Sequence, residues 1–240
     1  MKIDSPILTN FIKKACLNGH ISTINLNFTD TEVVSNVKDI SDICMTITKL
    51  SKAAFEEYSP IGEIYIKNTI QFLKYISTFK GVITIDRDAA EPNIIIISDA
   101  TREGRLILGD KIVCDNIIPL EDMPQLEFDT KCVIKKSSLS RILADMALIG
   151  EGSITIKKKP DSLIMETGKK GQSDYFKNEI EMEEVSTGEA TVRVGSTIVN
   201  LYTVLTDTFI LSMKSTNPMA IEETTEFTTF YCLIAPMTRD

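Results

Sequence analysis

Apolar residues recur three or four positions apart in four stretches of the chain and two apart in many short segments between them. The first helical stretch opens at Ser5 and Pro6. Ser5 is placed to cap it, Pro6 takes the first helical position, and Leu8, Phe11, Ile12 and Ala15 form one stripe opposite Asn10, Lys13 and Lys14. The second spans about residues 67–80, with Ile66, Thr69, Ile70, Leu73 and Ile76 inward and Lys67, Gln71, Lys74, Tyr75 and Thr78 outward; Gly81 stops it. The third, "KKSSLSRILADMALIGEG" at 135–152, takes its cap from Ser137 or Ser138 and turns Leu139, Ile142, Leu143, Met146 and Ala147 to a core. Its far face carries Ser137, Arg141, Ala144 and Leu148, and Gly150 and Gly152 end it. The fourth, "STIVNLYTVLTDT" at 196–208, buries Ile198, Leu201, Val204 and Leu205.

Between these stretches the period falls to two: "STINLNF" at 22–28, "ICMTITKL" at 43–50, "GVITI" at 81–85, "NIIIIS" at 93–98 and "GRLIL" at 104–108. The later half repeats this with "SITIKK", "SLIMET", "TVRVG", "FILSMK" and "TFYCLIA". Strands with one buried face and short turns predict antiparallel sheets. The third helical stretch follows the first, and the fourth the second, at an offset near 130 residues, so one topology runs twice. The fold class expected is α+β, two similar domains of antiparallel sheets with two helices each. Residues 1–116 form the first domain and 129–240 the second, joined by a connector at 117–128 within the aperiodic, proline- and acid-bearing stretch "DNIIPLEDMPQLEF".

Charge changes the picture. The chain carries a formal −8, yet the windows 5–18, 67–80, 135–148 and 196–208 hold eight cations (Lys13, Lys14, Lys67, Lys74, Lys80, Lys135, Lys136, Arg141) against two acids (Asp145, Asp207). The windows are therefore +6, and the rest of the chain −14. Lysines on one exposed helix face are ordinarily just solvated; three helices with the same bias are harder to set aside. The fourth departs from this pattern, because its outward positions Ser196, Val199, Thr203 and Thr206 are uncharged.

Composition excludes several function classes. The longest aliphatic run is Ile94–Ile97, far short of the roughly 20 residues of a membrane span, and the start "MKIDSPILTN" lacks a signal peptide's apolar block. A soluble protein that is not secreted is expected, cytoplasmic or at the nucleoid, or nuclear in a eukaryote. Cys16, Cys44, Cys114, Cys132 and Cys232 are odd in number and never spaced C-x-x-C, which reads as reduced packing residues without metal or disulfide. His20, the one histidine, reads as a surface residue after a helix end. "GRLILGDK" at 104–111 misses a phosphate-binding loop, since Asp110 displaces the lysine from the second glycine and no Ser or Thr follows. The acids of "EMEE" at 181–184 read as solvated turn residues. No catalysis and no cofactor are expected.

Three segments carry a family resemblance. "NPMAIEETTEFTTFYCLIAPMTRD" resembles the closing hairpin of the PCNA-type DNA sliding clamps, whose last strand ends in Leu-Ala-Pro or a near variant, here Leu233, Ile234, Ala235 and Pro236. "PQLEFDTKCVIKKSSLSRILADMALIGEGSITI" is similar to that family's connector exit and the first strand and helix of its second domain. "EEYSPIGEIYIKNTIQFLKYI" is similar to the entry to the second helix of its first domain. The resemblance runs over the whole chain.

It implies a ring of three two-domain subunits, closed head to tail around duplex DNA, with basic helices lining the hole and sheets outside. Carried onto this chain, Lys13, Lys14, Lys67, Lys74, Lys80, Lys136 and Arg141 contact DNA without reading its sequence, with Arg141 firmer than Lys135 and Lys136 at the strand-to-helix entry. Subunits pair through Arg105, Leu106, Ile107 and Leu108 against Tyr175, Phe176 and Lys177. DNA polymerase, the clamp loader and other replication and repair enzymes dock a short peptide at Ile40, Ile43, Met123, Leu126, Pro218, Ala235 and Pro236. The implied role is a processivity factor acting as a homotrimer. Its alternatives are one subunit of a heterotrimeric or checkpoint-type clamp, or a protein-binding scaffold that kept the fold without encircling DNA.

Overall fold

The computed structural model describes residues 1–185 and 188–237, without the side chains of Leu120, Glu184 and Val185. The chain forms two compact units. The first gathers Met1–Ile40, Met45–Met123 and Thr224–Phe230, and the second Ser41–Cys44, Pro124–Glu223 and the residues from Tyr231 on.

Element order shows the duplication directly. The first half runs β1 (Lys2–Asp4), α1 (Ser5–Ala15), β2 (Ile24–Phe28), β3 (Glu32–Lys38), β4 (Cys44–Ser51), β5 (Phe55–Glu57), β6 (Gly62–Ile66), α2 (Thr69–Ile76), β7 (Val82–Arg87), β8 (Ile94–Ser98) and β9 (Glu103–Ile107). The second half repeats it: β10 (Thr130–Lys135), α3 (Lys136–Ile149), β11 (Ser153–Lys159), β12 (Ser162–Gly168), β13 (Tyr175–Ile180), β14 (Glu184–Val185), β15 (Ala190–Gly195), α4 (Thr197–Val204), β16 (Thr208–Met213), β17 (Met219–Thr224) and β18 (Thr228–Ile234). Each half is thus one strand, a helix, five strands, a helix and three strands.

In the first unit the strands form two sheets, ordered β5-β1-β7-β8-β9 and β4-β3-β2-β6. The corresponding orders in the second half are β14-β10-β16-β17 and β13-β12-β11-β15, and the pairings within them are antiparallel. The helices cover one face of the sheets. α1 packs on β3 and α2, and α3 on β11, β12, β13 and α4. Leu8, Phe11, Ile12 and Ala15 are buried at the i, i+3, i+4 and i+7 positions of α1, and fully burying each large side chain is worth about 1.5–3 kcal/mol. α3 ends where Gly150 enters the left-handed region at φ 70°, as its sequence predicts.

Several expectations change. Ser5 does not cap α1. Asp4 takes the cap position, Pro6 falls in the first turn, and the Ser5 hydroxyl donates instead to the Phe79 carbonyl at 3.2 Å, tying the helix start to the turn after α2. α2 is shorter than residues 67–80. The Asn68 side chain caps it by accepting from the Gln71 N–H at 2.9 Å, and after Ile76 the Ser77 and Thr78 hydroxyls donate back to the Lys74 and Tyr75 carbonyls, ending the helix before Gly81. Its buried stripe is Thr69, Phe72 and Ile76, whereas Ile70 is 53% exposed. On α3 neither Ser137 nor Ser138 caps; Lys135 is the cap residue, without a side-chain bond, and the Lys136 N–H donates to the Asp207 carbonyl. Ala147 lies outside the α3 core stripe and is exposed. The connector is partly ordered: Ile117 bridges to Val37, the Ile118 N–H donates to the Asn36 carbonyl, and Leu120–Asp122 form a 3-10 turn.

Candidate nucleic-acid interface

The cations expected at DNA separate into two groups. In the first unit Lys67, Lys74 and Lys80 are exposed and Lys13 half-buried; Lys74 lies on α2, with Lys67 just before its cap and Lys80 in the turn after it. Lys14 does not share the far face of α1. It is 3% exposed, and its ammonium lies 5.9 Å from the centroid of the Phe230 ring. In the second unit Arg141 is exposed on α3, among Ser137, Lys177 and Glu179 in a depression of about 500 Å3. Lys136 turns inward. Its Nζ donates to the Leu205 carbonyl at 2.6 Å and sits 4.9 Å from the Tyr202 ring centroid, so it caps the end of α4. Lys135 stays exposed but pairs with Glu183 at 2.9 Å, which raises its pKa. Ser196, Val199, Thr203 and Thr206, outward on and beside α4, are exposed and uncharged.

The two segments expected at a subunit interface are edge strands. β9 ends the sheet β5-β1-β7-β8-β9, and β13 ends β13-β12-β11-β15. On β9, Ile107 is 68% exposed, Leu106 is half-buried, and Leu108 just after the strand is buried. Arg105 bonds within its own unit, to Asp88 at 2.6 Å and Glu91 at 3.4 Å. The Asp88 carboxyl is held below its usual range first by the Ala90 and Glu91 N–H groups and then by Arg105. The turn into β9 is set by Asp99, whose carboxylate accepts from the Thr101 and Arg102 N–H groups at 2.8 and 3.0 Å and from the Lys80 N–H at 3.1 Å. These bonds bring its pKa down to about 2, the Thr101 N–H being the largest cause. On β13, Tyr175 and Phe176 are half-buried and Lys177 exposed.

The sequence reading missed the groove beside β9. Phe72, Tyr75 and Phe79 line it with Leu106 and Lys67 in a volume of about 450 Å3. The available signal was Phe72 and Phe79, seven residues apart and so on one helical face, which the misplaced stripe of α2 concealed.

The residues expected at a peptide site are only partly brought together. In the first unit Ile40 is 95% exposed, in the loop after β3, and Met123 is half-buried. In the second the Ala235 N–H donates to the Ile43 carbonyl at 2.7 Å, which places those two residues side by side. Pro236 lines a depression of about 910 Å3 with Met237 and Arg193, and the Met237 N–H donates to the Arg193 carbonyl at 2.8 Å. Leu126 and Pro218 are half-buried in the connector and just before β17.

The five cysteines are buried, and burial pushes Cys16 and Cys132 up to about 11, so neither is a ready nucleophile. His20 is exposed. Among the described residues, no helix is long and apolar enough to cross a membrane.

Two duplicated units, each of antiparallel sheets carrying two helices, define an α+β fold. Solved PCNA structures share this fold over the full chain. The structure of A. fulgidus PCNA bound to the C-terminal region of FEN-1 matches with a TM-score of 0.84 at 15% identity, covering 100% of this chain and 98% of that one. PCNA from Thermococcus kodakaraensis matches at 0.84 and 17%, covering 99% of each. The PCNA2-PCNA3 complex from Sulfolobus tokodaii matches at 0.76 and 21%, covering 98% and 99%. Neither protein-family models nor curated protein sequences match the chain. The fold is the PCNA-type clamp fold.

Proposed function

We propose that the chain is a DNA sliding clamp, a processivity factor whose subunits close into a homotrimeric ring around duplex DNA and tether replication and repair enzymes. The observation that carries the reading is the duplicated clamp fold, with Lys13, Lys67, Lys74, Lys80 and Arg141 at the surface on and beside the helices of a net −8 protein. Lysine and arginine attract phosphates without reading bases, so a ring lined by Lys13, Lys67, Lys74, Lys80 and Arg141 holds the duplex loosely enough to move along it. The acidic remainder discourages DNA from the outside. β9 and β13, each the last strand of its sheet, are the edges through which one copy pairs with the next.

Partner peptides dock at the apolar residues near the end of the chain, where Ile43 and Ala235 are already joined, with Leu126, Pro218 and Pro236 from the same unit. In the first unit the exposed Ile40 and the half-buried Met123 are proposed partner contacts of their own. Polymerase and clamp loader are the expected partners; the A. fulgidus protein is similar to this chain and was solved with a FEN-1 C-terminal region. The reading assigns no catalysis.

A second reading, one subunit of a ring made from different chains, is favoured by the likeness to the Sulfolobus tokodaii PCNA2-PCNA3 complex. A scaffold that does not encircle DNA is favoured by the uncharged outer positions of α4. Native mass separates homotrimer from mixed ring. Three copies of the 26.8-kDa chain are expected, and a stable monomer at micromolar concentration would exclude the homotrimer.

A further inference from the structure

The four helices do not present equal charge. Among the described residues of the first unit's helix windows, Lys13, Lys67, Lys74 and Lys80 remain at the surface and no acid accompanies them. The second unit's windows hold three cations by sequence, but two are committed elsewhere: Lys135 to Glu183 at 2.9 Å, and Lys136 to the Leu205 carbonyl and the Tyr202 ring. Arg141 is the one remaining. Around it the outward positions are Ala144, Ala147 and Leu148 on α3 and Val199 and Thr203 on α4, all exposed and uncharged. Asp145 accepts from the Asn178 side-chain amide at 2.8 Å, and Asp207 is exposed.

We propose that the first unit holds the duplex electrostatically, while the helix windows of the second offer it a mainly uncharged surface whose one uncommitted cation is Arg141, set off by Asp145 and the exposed Asp207. The proposal rests on the reading of the chain as a clamp and divides its DNA surface between the two halves. Each phosphate neutralised by a cation releases a counterion and steepens the salt dependence of binding, whereas hydroxyl and alkyl groups release none. On this proposal DNA associates with the helix cations of the first unit more than with those of the second.

The test is association of the full chain with a short fluorescent duplex across a sodium chloride series, on variants confirmed to be folded and of wild-type mass. The fourfold variant K13A/K67A/K74A/K80A is expected to flatten the dependence of log affinity on log salt to near zero. R141A is expected to retain most of the wild-type slope. T203K, which adds a cation to α4, is expected to steepen the slope by about 0.9 for each new phosphate contact. An R141A slope as flat as that of the fourfold variant, or a T203K slope equal to wild type, would overturn the proposal while leaving the clamp reading intact. A wild-type protein whose weak association shows no salt dependence would sink both.

Discussion

Lys135 and Lys136 are chemically identical neighbours, and the structure gives them opposite roles. The backbone passes from β10 into α3 between them, so one side chain stays outside to meet Glu183 while the other folds under to meet the Leu205 carbonyl at the end of α4. An exposed ion pair contributes little, and a charged donor on a last-turn carbonyl contributes more. Lys136→Ala is therefore expected to lower unfolding free energy by about 1–3 kcal/mol, and Lys135→Ala to leave the urea midpoint close to that of the unaltered chain, in urea titrations of each variant. Equal losses would contradict the assignment. The same contrast marks the limit of the sequence reading at this scale. Counting charge per window located the cationic helices, but which ammonium finds an internal partner depends on residues 60 and more positions away, such as Leu205 for Lys136 and Phe230 for Lys14.

At the scale of elements, α1, α3 and α4 were legible because their buried stripes repeat at helical spacing over two turns or more. α2 was located but rotated. Helical spacing takes in Ile66, yet that residue closes β6; the Asn68 cap restarts the period, and Phe72 rather than Ile70 takes the buried place. Ile70 lies instead against the loop that follows α1. A Cβ built on Gly19 would meet Ile70 Cγ1 at 2.7 Å, and Gly19 has φ 95°, which disfavours any side chain. Gly19→Ala is accordingly expected to cost about 1–3 kcal/mol by combined strain and overlap, seen as a lower thermal midpoint. Recovery in G19A/I70A of only part of that loss would match the two causes, and a G19A protein as stable as wild type would contradict both. β3 shows why some strands went unassigned. Its interior residues from Val33 to Val37 are all buried, so no alternation marks it in the sequence.

At the scale of the whole molecule, the offset near 130 residues foretold a topology that runs twice, and the structure repeats it element by element. What the spacing of residues could not show is which strands finish a sheet, because strand order is set by pairings far apart in sequence: β1 lies between β5 and β7, and β10 between β14 and β16. The edge positions of β9 and β13, and the aromatic groove beside β9, emerge only from that order. They matter because a closed ring needs two complementary open edges on each copy, one at each end of a head-to-tail chain. Encirclement is the central claim, and its most direct measurement is retention on circular against linear DNA after loading, at salt high enough to suppress simple electrostatic binding. Retention on circles with escape from free linear ends is the predicted result; equal loss from both would contradict the account.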